Sequence, residues 1–136
     1  MNEKNILIVL ASIIPVTVIF MINYLFQVGI DIKVKNQMNE EISGLYVTYN
    51  EIKSDVKIPT LKPGEKYKLN VSHGKNSNDN FSEGALLLEY KDSNGKVHTK
   101  YVVGYIERGY SGFANIKITD VDENGKLKMD IKKFAY

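Results

Sequence analysis

Residues 120–125, DVDENG, carry a spacing that fits a metal site, because oxygen-bearing side chains alternate along the segment. Calcium prefers such hard oxygen ligands, and Asp120, Asp122 and Asn124 match the first half of a calcium-binding loop. The twelfth position of that loop is Ile131, where a bidentate glutamate is expected, and predicted strands flank the segment. A β-hairpin turn explains the same residues, so we predict no metal site and keep calcium binding as the alternative.

Catalytic chemistry has little support in the residue types present. The chain has no cysteine, which excludes thiol nucleophiles, and no G-x-S-x-G elbow accompanies its two histidines, His73 and His98. Glu83 and Glu89 would be a glycosidase pair only at a cleft, and nothing in the sequence places them at one. We therefore predict no enzyme and no cofactor. The alternative is a calcium-dependent or hydrolytic envelope module that uses the aspartates of residues 120–125.

Aromatic residues and the single arginine gather in two segments bounded by glycine, residues 73–84 and 104–113. Tyrosine and arginine are favoured at protein-protein contacts and at surfaces where sugars stack. The predicted partner-binding residues are Phe81, Tyr105, Arg108, Tyr110 and Phe113. The alternative is that Tyr105 and Phe113 belong to the core and that Tyr110 closes a turn.

The first part of the chain predicts a membrane anchor. Residues 6–26 contain no charged side chain, and 21 residues of helix would reach about 31 Å, enough to cross a bilayer. Pro15 predicts a kink, and Tyr24 and Phe26 suit the distal interface. A cleaved signal peptide is the alternative, but the apolar run is long and no small-x-small cleavage site follows it. A buried core helix is disfavoured because no face of the segment is polar.

These features divide the chain into a short tail at 1–5, a single-pass signal anchor at 6–27 and a domain at 28–136. Lysines flank the anchor on both sides, and acidic residues nearly balance them, so the positive-inside rule decides little. We predict an extracytoplasmic C-terminal domain, since a short tail before a translocated domain is the usual plan of a signal anchor. The first strand begins within a few residues of the anchor, so the domain is expected to lie close to the headgroups.

Composition narrows the class of partner. The net charge is only +2, from 18 basic and 16 acidic residues, which argues against nucleic-acid binding. Lysines alternate with apolar residues, as in Lys66-Tyr67-Lys68, which predicts solvated strand faces. A chain without cysteine must be stable through packing alone. Lysine is strongly preferred over arginine and asparagine is abundant, a bias associated with Gram-positive bacteria of low GC content.

After the anchor the apolar period becomes two, which is typical of half-buried strands. Turn signals separate these strands, among them Pro63-Gly64, Asn94-Gly95 and Asn124-Gly125. About seven strands with such spacing predict an all-β fold, a small antiparallel β-sandwich of immunoglobulin-like type preceded by one transmembrane helix. A small barrel is the alternative.

One stretch carries a resemblance to a known family. Residues 61–71, LKPGEKYKLNV, resemble the L-x-P-G-x-x-Y-x-x-x-V run of fibronectin type III and related immunoglobulin-like domains. In those domains the tyrosine belongs to a corner that precedes a central strand. The resemblance implies a sandwich and implies no function. Its position departs from the family, because too few residues precede it and some 65 follow where one strand is expected.

Together these features predict a membrane-anchored extracytoplasmic β-sandwich that binds a protein or cell-envelope partner. Its class is an accessory or immunity-type protein of the cell membrane, and the partner is expected in the membrane or the inner cell wall. A structural spacer that assembles through a sheet edge is a third hypothesis. The sequence assigns no oligomeric state.

Overall fold

The computed structural model describes the backbone of residues 2–25 and 29–136, and their side chains outside residues 5–12 and 23–25. In chain order the elements are α1 (Glu3–Leu25), β1 (Gly29–Asn36), β2 (Leu45–Thr48), β3 (Val56–Lys57), β4 (Lys66–Val71), α2 (His73–Asn76), β5 (Glu83–Lys91), β6 (Val97–Glu107), β7 (Ser111–Val121) and β8 (Leu127–Ala135). The protein is therefore mostly β after its first helix, as the period-two pattern predicts.

The strands form two four-stranded sheets in a sandwich-like arrangement. The first sheet has the order β4-β1-β7-β8 and the second has the order β3-β2-β5-β6. β1 and β7 run parallel, and the other pairs are antiparallel. The expectation of a purely antiparallel sandwich with about seven strands was therefore wrong in detail. Parallel neighbours need a crossover connection, and the chain between β1 and β7 supplies it by building the second sheet.

The core lies between the two sheets and follows the alternation of each strand. On β1, the side chains of Ile30, Ile32 and Val34 are buried, and on β7 those of Ile116 and Ile118. The second sheet contributes buried side chains from β2, β5 and β6, namely Leu45, Val47, Leu86, Leu88, Val102, Val103 and Ile106. Successive side chains of a strand point to opposite faces, so this inward set leaves most of the residues between them on an outer face. Val102 and Val103 are both buried because the pairing of β5 with β6 is irregular at that point.

Asn36 closes β1 as a fully buried polar residue. Its side-chain amide donates to the carbonyls of Glu40 (2.7 Å) and Leu61 (2.9 Å), and its side-chain oxygen accepts from the Met38 amide. Every polar atom of this side chain is therefore hydrogen-bonded, as burial requires. These hydrogen bonds tie the segment that follows β1 to the chain around Leu61.

Two hairpins of identical design end the β5–β6 and β7–β8 pairs. Asp92 Oδ1 accepts from the amides of Asn94 and Lys96, and Asp122 Oδ1 accepts from the amides of Asn124 and Lys126. Glycine follows each asparagine with a positive φ, as these turns require. Both turns share the sequence D-x-N-G-K, so each sheet contains one hairpin with the same turn and the same aspartate hydrogen bonds.

α1 precedes the sandwich and contains Pro15. Among the residues that the structure describes, no helix combines the length and the apolar character that a membrane crossing needs. The transmembrane interpretation of residues 6–26 therefore rests on the sequence alone. The side chain of Tyr24, and Phe26 and Val28 altogether, lie outside the described part of the chain, so the predicted interfacial aromatics and the predicted start of β1 are not addressed.

Candidate binding surface

The sequence-predicted contact residues do not share one surface. Tyr105 is 46% exposed on the outer face of the second sheet, whereas Phe113 is 44% exposed on the outer face of the first sheet. Tyr110 lies between them, half-buried against the core, with its ring edge-on to Tyr105 at 6.0 Å between centroids. The alternative that Tyr105 and Phe113 are core residues was wrong. Strand alternation turns Phe113 outward, and an irregularity in the pairing of β5 with β6 turns Tyr105 outward although Val103 is buried.

Arg108 and Phe81 hold the segment 73–84 against the sandwich. Arg108 Nε donates to the Phe81 carbonyl at 2.6 Å, and its Nη2 donates to the Asp79 carbonyl. Phe81 is 1% exposed and packs edge-on against Tyr49, so its side chain contacts the core and not a partner. The expectation that Phe81 is a surface contact does not fit this burial, because a phenyl ring in an ordered loop gains free energy by leaving water.

The candidate calcium ligands serve the β7–β8 hairpin. Asp122 Oδ1 already accepts two amides of its own turn, and Asp120 Oδ2 accepts from Lys128 Nζ at 2.9 Å. Lys128 lowers the pKa of Asp120 through this hydrogen bond. Within the described part of the chain, no group of three or more metal-ligating side chains is brought together. The hairpin interpretation accounts for the contacts of these residues.

Both histidines lie in packed positions of the fold. His73 stacks on Phe81, and His98 stacks on Tyr90 with ring centroids 5.1 Å apart. His98 Nε2 also lies 2.8 Å from Asp92 Oδ2, and this contact is the leading cause that lowers the pKa of Asp92. Glu83 and Glu89, the other catalytic candidates, lie on the outer face of the second sheet.

Apart from Lys128, which pairs with Asp120, the outer face of the first sheet gathers six lysines from all four of its strands. We call it the lysine face; its members are Lys33, Lys35, Lys66, Lys68, Lys117 and Lys132. Strand pairing sets Lys33 beside Lys68, and Lys35 between Lys66 and Lys117. Five of the six line one shallow groove with Asn115, and Lys68 lines an adjoining groove that shares Lys33 and Asn115. This clustering unites residues far apart in the chain.

Few acidic groups offset the lysine face. Two carboxylates lie beside these lysines on the same outer face. Asp31 accepts from Asn70 Nδ2 at 2.8 Å, and Asp130 lies opposite Lys117. Of the residues that the structure describes, only Asp92 with His98 and Asp120 with Lys128 approach within ion-pair distance. The ammonium groups of the lysine face are therefore directed to solvent, although the net charge of the whole chain is small.

An aromatic row borders the lysine face. Phe113 on β7 lies opposite Phe134 on β8, with ring centroids 6.3 Å apart, and Phe134 lies 5.6 Å from Tyr136. All three side chains are exposed. The row lies where β1 begins, because Phe113 pairs with Asp31, two residues after the first residue of that strand. It therefore occupies the end of the sheet that follows α1 in the chain.

The outer face of the second sheet carries a different set of charged groups. We call it the glutamate face; its members are Glu83, Glu89 and Glu107 with Tyr46, Tyr101 and Tyr105, and strand pairing places Lys57 and Lys91 on the same face. Tyr46 and Thr99 donate to Glu89, each at 2.9 Å. Tyr105 donates to Glu83 at 3.0 Å and to Glu107 at 3.2 Å. The hydrogen bond with Glu83 is the main cause that raises the pKa of Tyr105 to about 12.

Sequence reasoning missed the lysine face, although a signal for it was present. Lysines at alternating positions, as in Lys33-Val34-Lys35 and Lys66-Tyr67-Lys68, put two charges on the same side of each strand. The sequence pattern does not say which strands are neighbours, so it predicts solvated faces and no common patch.

Comparison with known proteins assigns no family. No protein-family model matches the chain, and no curated protein matches it. One solved structure is similar, an NMR structure of a protein from Eubacterium rectale. It is 16% identical, with a TM-score of 0.43, and the match covers 76% of this chain and 87% of that chain. The class defined so far is a mostly β, two-sheet protein with lysines clustered on one outer face and glutamates hydrogen-bonded to tyrosines on the other.

Proposed function

We propose that this protein is a membrane-anchored extracytoplasmic binding module without catalysis, which presents an immunoglobulin-like sandwich to a protein of the cell envelope. The observation that carries the proposal is the tyrosine-rich part of the glutamate face. Tyr101 is 64% exposed and Tyr105 is 46% exposed, and both lie on β6, an edge strand of its sheet. Exposed tyrosines supply large, rigid contact areas with a polar tip, which protein interfaces favour.

The anchor in this proposal is supported by the sequence of residues 6–26 and by the side chains described along α1. The large apolar side chains among residues 13–22 are 47–72% exposed. Thr17, a polar residue in this stretch, donates its hydroxyl to the carbonyls of Ile13 and Ile14. A hydroxyl satisfied within its own helix is compatible with an apolar surrounding. The hydrocarbon of a bilayer would bury these apolar side chains without leaving the Thr17 hydroxyl unpaired.

Attachment is tested by extracting membranes of the native cells at alkaline pH and by treating intact spheroplasts with protease. We expect the full chain to stay with the membrane pellet and its C-terminal domain to be digested from outside. Extraction into the supernatant would contradict the anchor. Protection of the domain in intact spheroplasts would contradict the extracytoplasmic orientation.

Partner contact is tested by photocrosslinking the full chain in its own cells. A photoreactive phenylalanine analogue replaces Tyr101 in one variant and Asn115, on the lysine face, in a matched control. We expect a discrete protein adduct from position 101 that is absent from position 115. The double variant Tyr101→Ala/Tyr105→Ala should lose at least about tenfold in capture of that partner, as hot-spot tyrosines do. The same adducts from both positions would contradict a contact on the glutamate face.

A further inference from the structure

We propose that the lysine face docks on the anionic phospholipid headgroups of the membrane that holds the anchor. The inference rests on the proposed attachment, because the anchor brings the sandwich to the bilayer. It also assigns each outer face a role: the lysine face turns toward the lipid, and the glutamate face turns away toward a protein partner.

The order of side chains along the first sheet matches a membrane surface. The aromatic row of Phe113 and Phe134 comes first, at the end where the chain enters from α1. Lys33, Lys68 and Lys132 form the next row across the sheet, and Lys35, Lys66 and Lys117 form the one after it. Rows of one face are two residues apart, roughly 7 Å along a strand. With the face flat against the bilayer, the phenyl and phenol rings favour the interface, and the long lysine stems beside them reach the phosphates.

The charge of the face complements an anionic leaflet. Each lysine near such a surface strengthens binding about fivefold at moderate salt. Asp31 and Asp130 are the acids on these rows, and Asp31 is engaged by Asn70. Six lysines without an ion-pair partner among the described residues therefore leave a large positive excess directed outward. A tethered domain needs little of this attraction to lie flat.

The aromatic row distinguishes a lipid surface from a soluble phosphate polymer. Phe113, Phe134 and Tyr136 expose apolar rings beside the lysines. A wall polymer rich in phosphate would neutralise the lysines but would offer no apolar phase to these rings. A bilayer interface meets both chemistries at once, which is why we assign the face to the membrane.

The experiment uses the full chain reconstituted in vesicles. Since the chain has no cysteine, Asn115→Cys provides one labelling site in the middle of the lysine face, and Thr99→Cys provides the matched site on the glutamate face. Each carries a fluorophore, and the vesicles contain a lipid with a nitroxide quencher on its headgroup. One set of vesicles is phosphatidylcholine alone, and the other contains phosphatidylglycerol as well.

We expect strong quenching at position 115 in the anionic vesicles, little in the neutral ones, and little at position 99 in either. One molar salt, where the screening length falls to about 3 Å, should abolish the quenching. The triple variant Lys35→Gln/Lys66→Gln/Lys117→Gln should shift the ratio of docked to undocked protein about a hundredfold toward undocked. The control Lys57→Gln/Lys91→Gln/Lys100→Gln removes the same charge from the second sheet and should leave quenching unchanged.

Flotation separates the two proposals. A chain that does not float with the neutral vesicles contradicts the anchor. A chain that floats, yet shows equal quenching at position 115 in neutral and anionic vesicles, contradicts the lysine face alone. Soluble polyphosphate that displaces the label from anionic vesicles at equal phosphate concentration would reassign the face to a polymer and overturn the lipid assignment. The salt test on the unsubstituted face holds even where the triple variant folds poorly.

Discussion

The two outer faces of the sandwich are built by the same strand alternation and differ in how their charges are satisfied. On the glutamate face, hydroxyls of Tyr46, Thr99 and Tyr105 donate to the carboxylates within the face. On the lysine face, the ammonium groups have no ion-pair partner among the described residues. The difference teaches that charges already bound within a face support the fold, whereas charges left to solvent are available to something outside it.

The largest expected effect is the loss of stability when a buried aromatic side chain of the core is removed, compared with an exposed one on an outer face. Phe81→Ala removes a ring that is 1% exposed and packs against Tyr49 and His73, so we expect a loss of about 3–5 kcal/mol in the free energy of unfolding. Urea unfolding followed by circular dichroism measures it. Phe113→Ala on the lysine face is the control and should cost under about 1 kcal/mol. Equal losses of stability in Phe81→Ala and Phe113→Ala would contradict the assignment of Phe81 to the core and of Phe113 to the surface.

The next effect breaks the first sheet and spares the second. A Cβ at Gly112 would lie 2.1 Å from the Phe134 carbonyl oxygen, so Gly112→Ala forces β7 and β8 apart beside the aromatic row. We expect a loss of about 1–3 kcal/mol. Gly104→Ala on β6 meets open space and should change stability little or raise it slightly. Thermal unfolding of both variants checks the contrast, and a loss from Gly104→Ala as large as that from Gly112→Ala would contradict it.

Tyrosine ionisation measures the field of the glutamate face. Tyr105 has a pKa raised to about 12, with its hydrogen bond to Glu83 as the main cause. Glu83→Gln should therefore lower the pKa of Tyr105 toward the ordinary tyrosine value, while Lys33→Gln on the opposite face should leave it in place. Ring carbon NMR across alkaline pH follows the titration. An unchanged pKa in Glu83→Gln would show that the Glu83 carboxylate does not act on this phenol.

The smallest expected effect is a change in how the stability of the protein depends on acid pH, and it comes from Asp92. This residue lies in the hairpin between β5 and β6, next to the other hairpin: a Cβ at Gly125 there would lie 3.0 Å from Asp92 Cβ. His98 lowers the folded-state pKa of Asp92, so this contact stabilises the protein above the unfolded pKa of about 3.9 and is lost as pH falls through the folded pKa. Asp92→Asn should flatten the acid dependence of stability in that window.

The twin hairpin supplies the control for the acid test. Asp122→Asn keeps an oxygen that can accept the turn amides and has no histidine contact among those that the structure gives it. This variant keeps the contact of Asp92 with His98, so its stability should fall with acid more steeply than that of Asp92→Asn. Urea unfolding at several pH values compares the variants. An Asp92→Asn variant that keeps the full slope would remove this pair as a source of acid sensitivity.

Local pattern predicted most of the strands and turns correctly. The period of two that follows the apolar segment predicted β1, on which Ile30, Ile32 and Val34 are buried. The Pro63-Gly64 and Asn-Gly turns lie where they were predicted, since glycine alone adopts their positive φ without strain. These features depend on residues adjacent in the chain, which is why sequence suffices for them.

The candidate site was predicted less well. The segment 104–113 was expected to act as one contact loop, but Tyr105 and Phe113 lie on strands of different sheets and face opposite sides of the sandwich. Phe81 was expected at the surface because its neighbours in the sequence are polar. Its burial depends on Tyr49 and Arg108, which are distant in the chain and could not be paired with it from the pattern.

The sequence by itself determined that this chain joins an apolar N-terminal segment to a β domain with two Asn-Gly hairpins. Those conclusions follow from short-range periodicity and turn chemistry, which act within a few residues. Only the tertiary structure decided that β1 pairs with β7 in parallel and that lysines from four strands meet on one face. Neighbour relations between strands are set by long-range packing of the core, so two strands with identical alternation can end beside each other or in opposite sheets. The charge of each face follows from that choice.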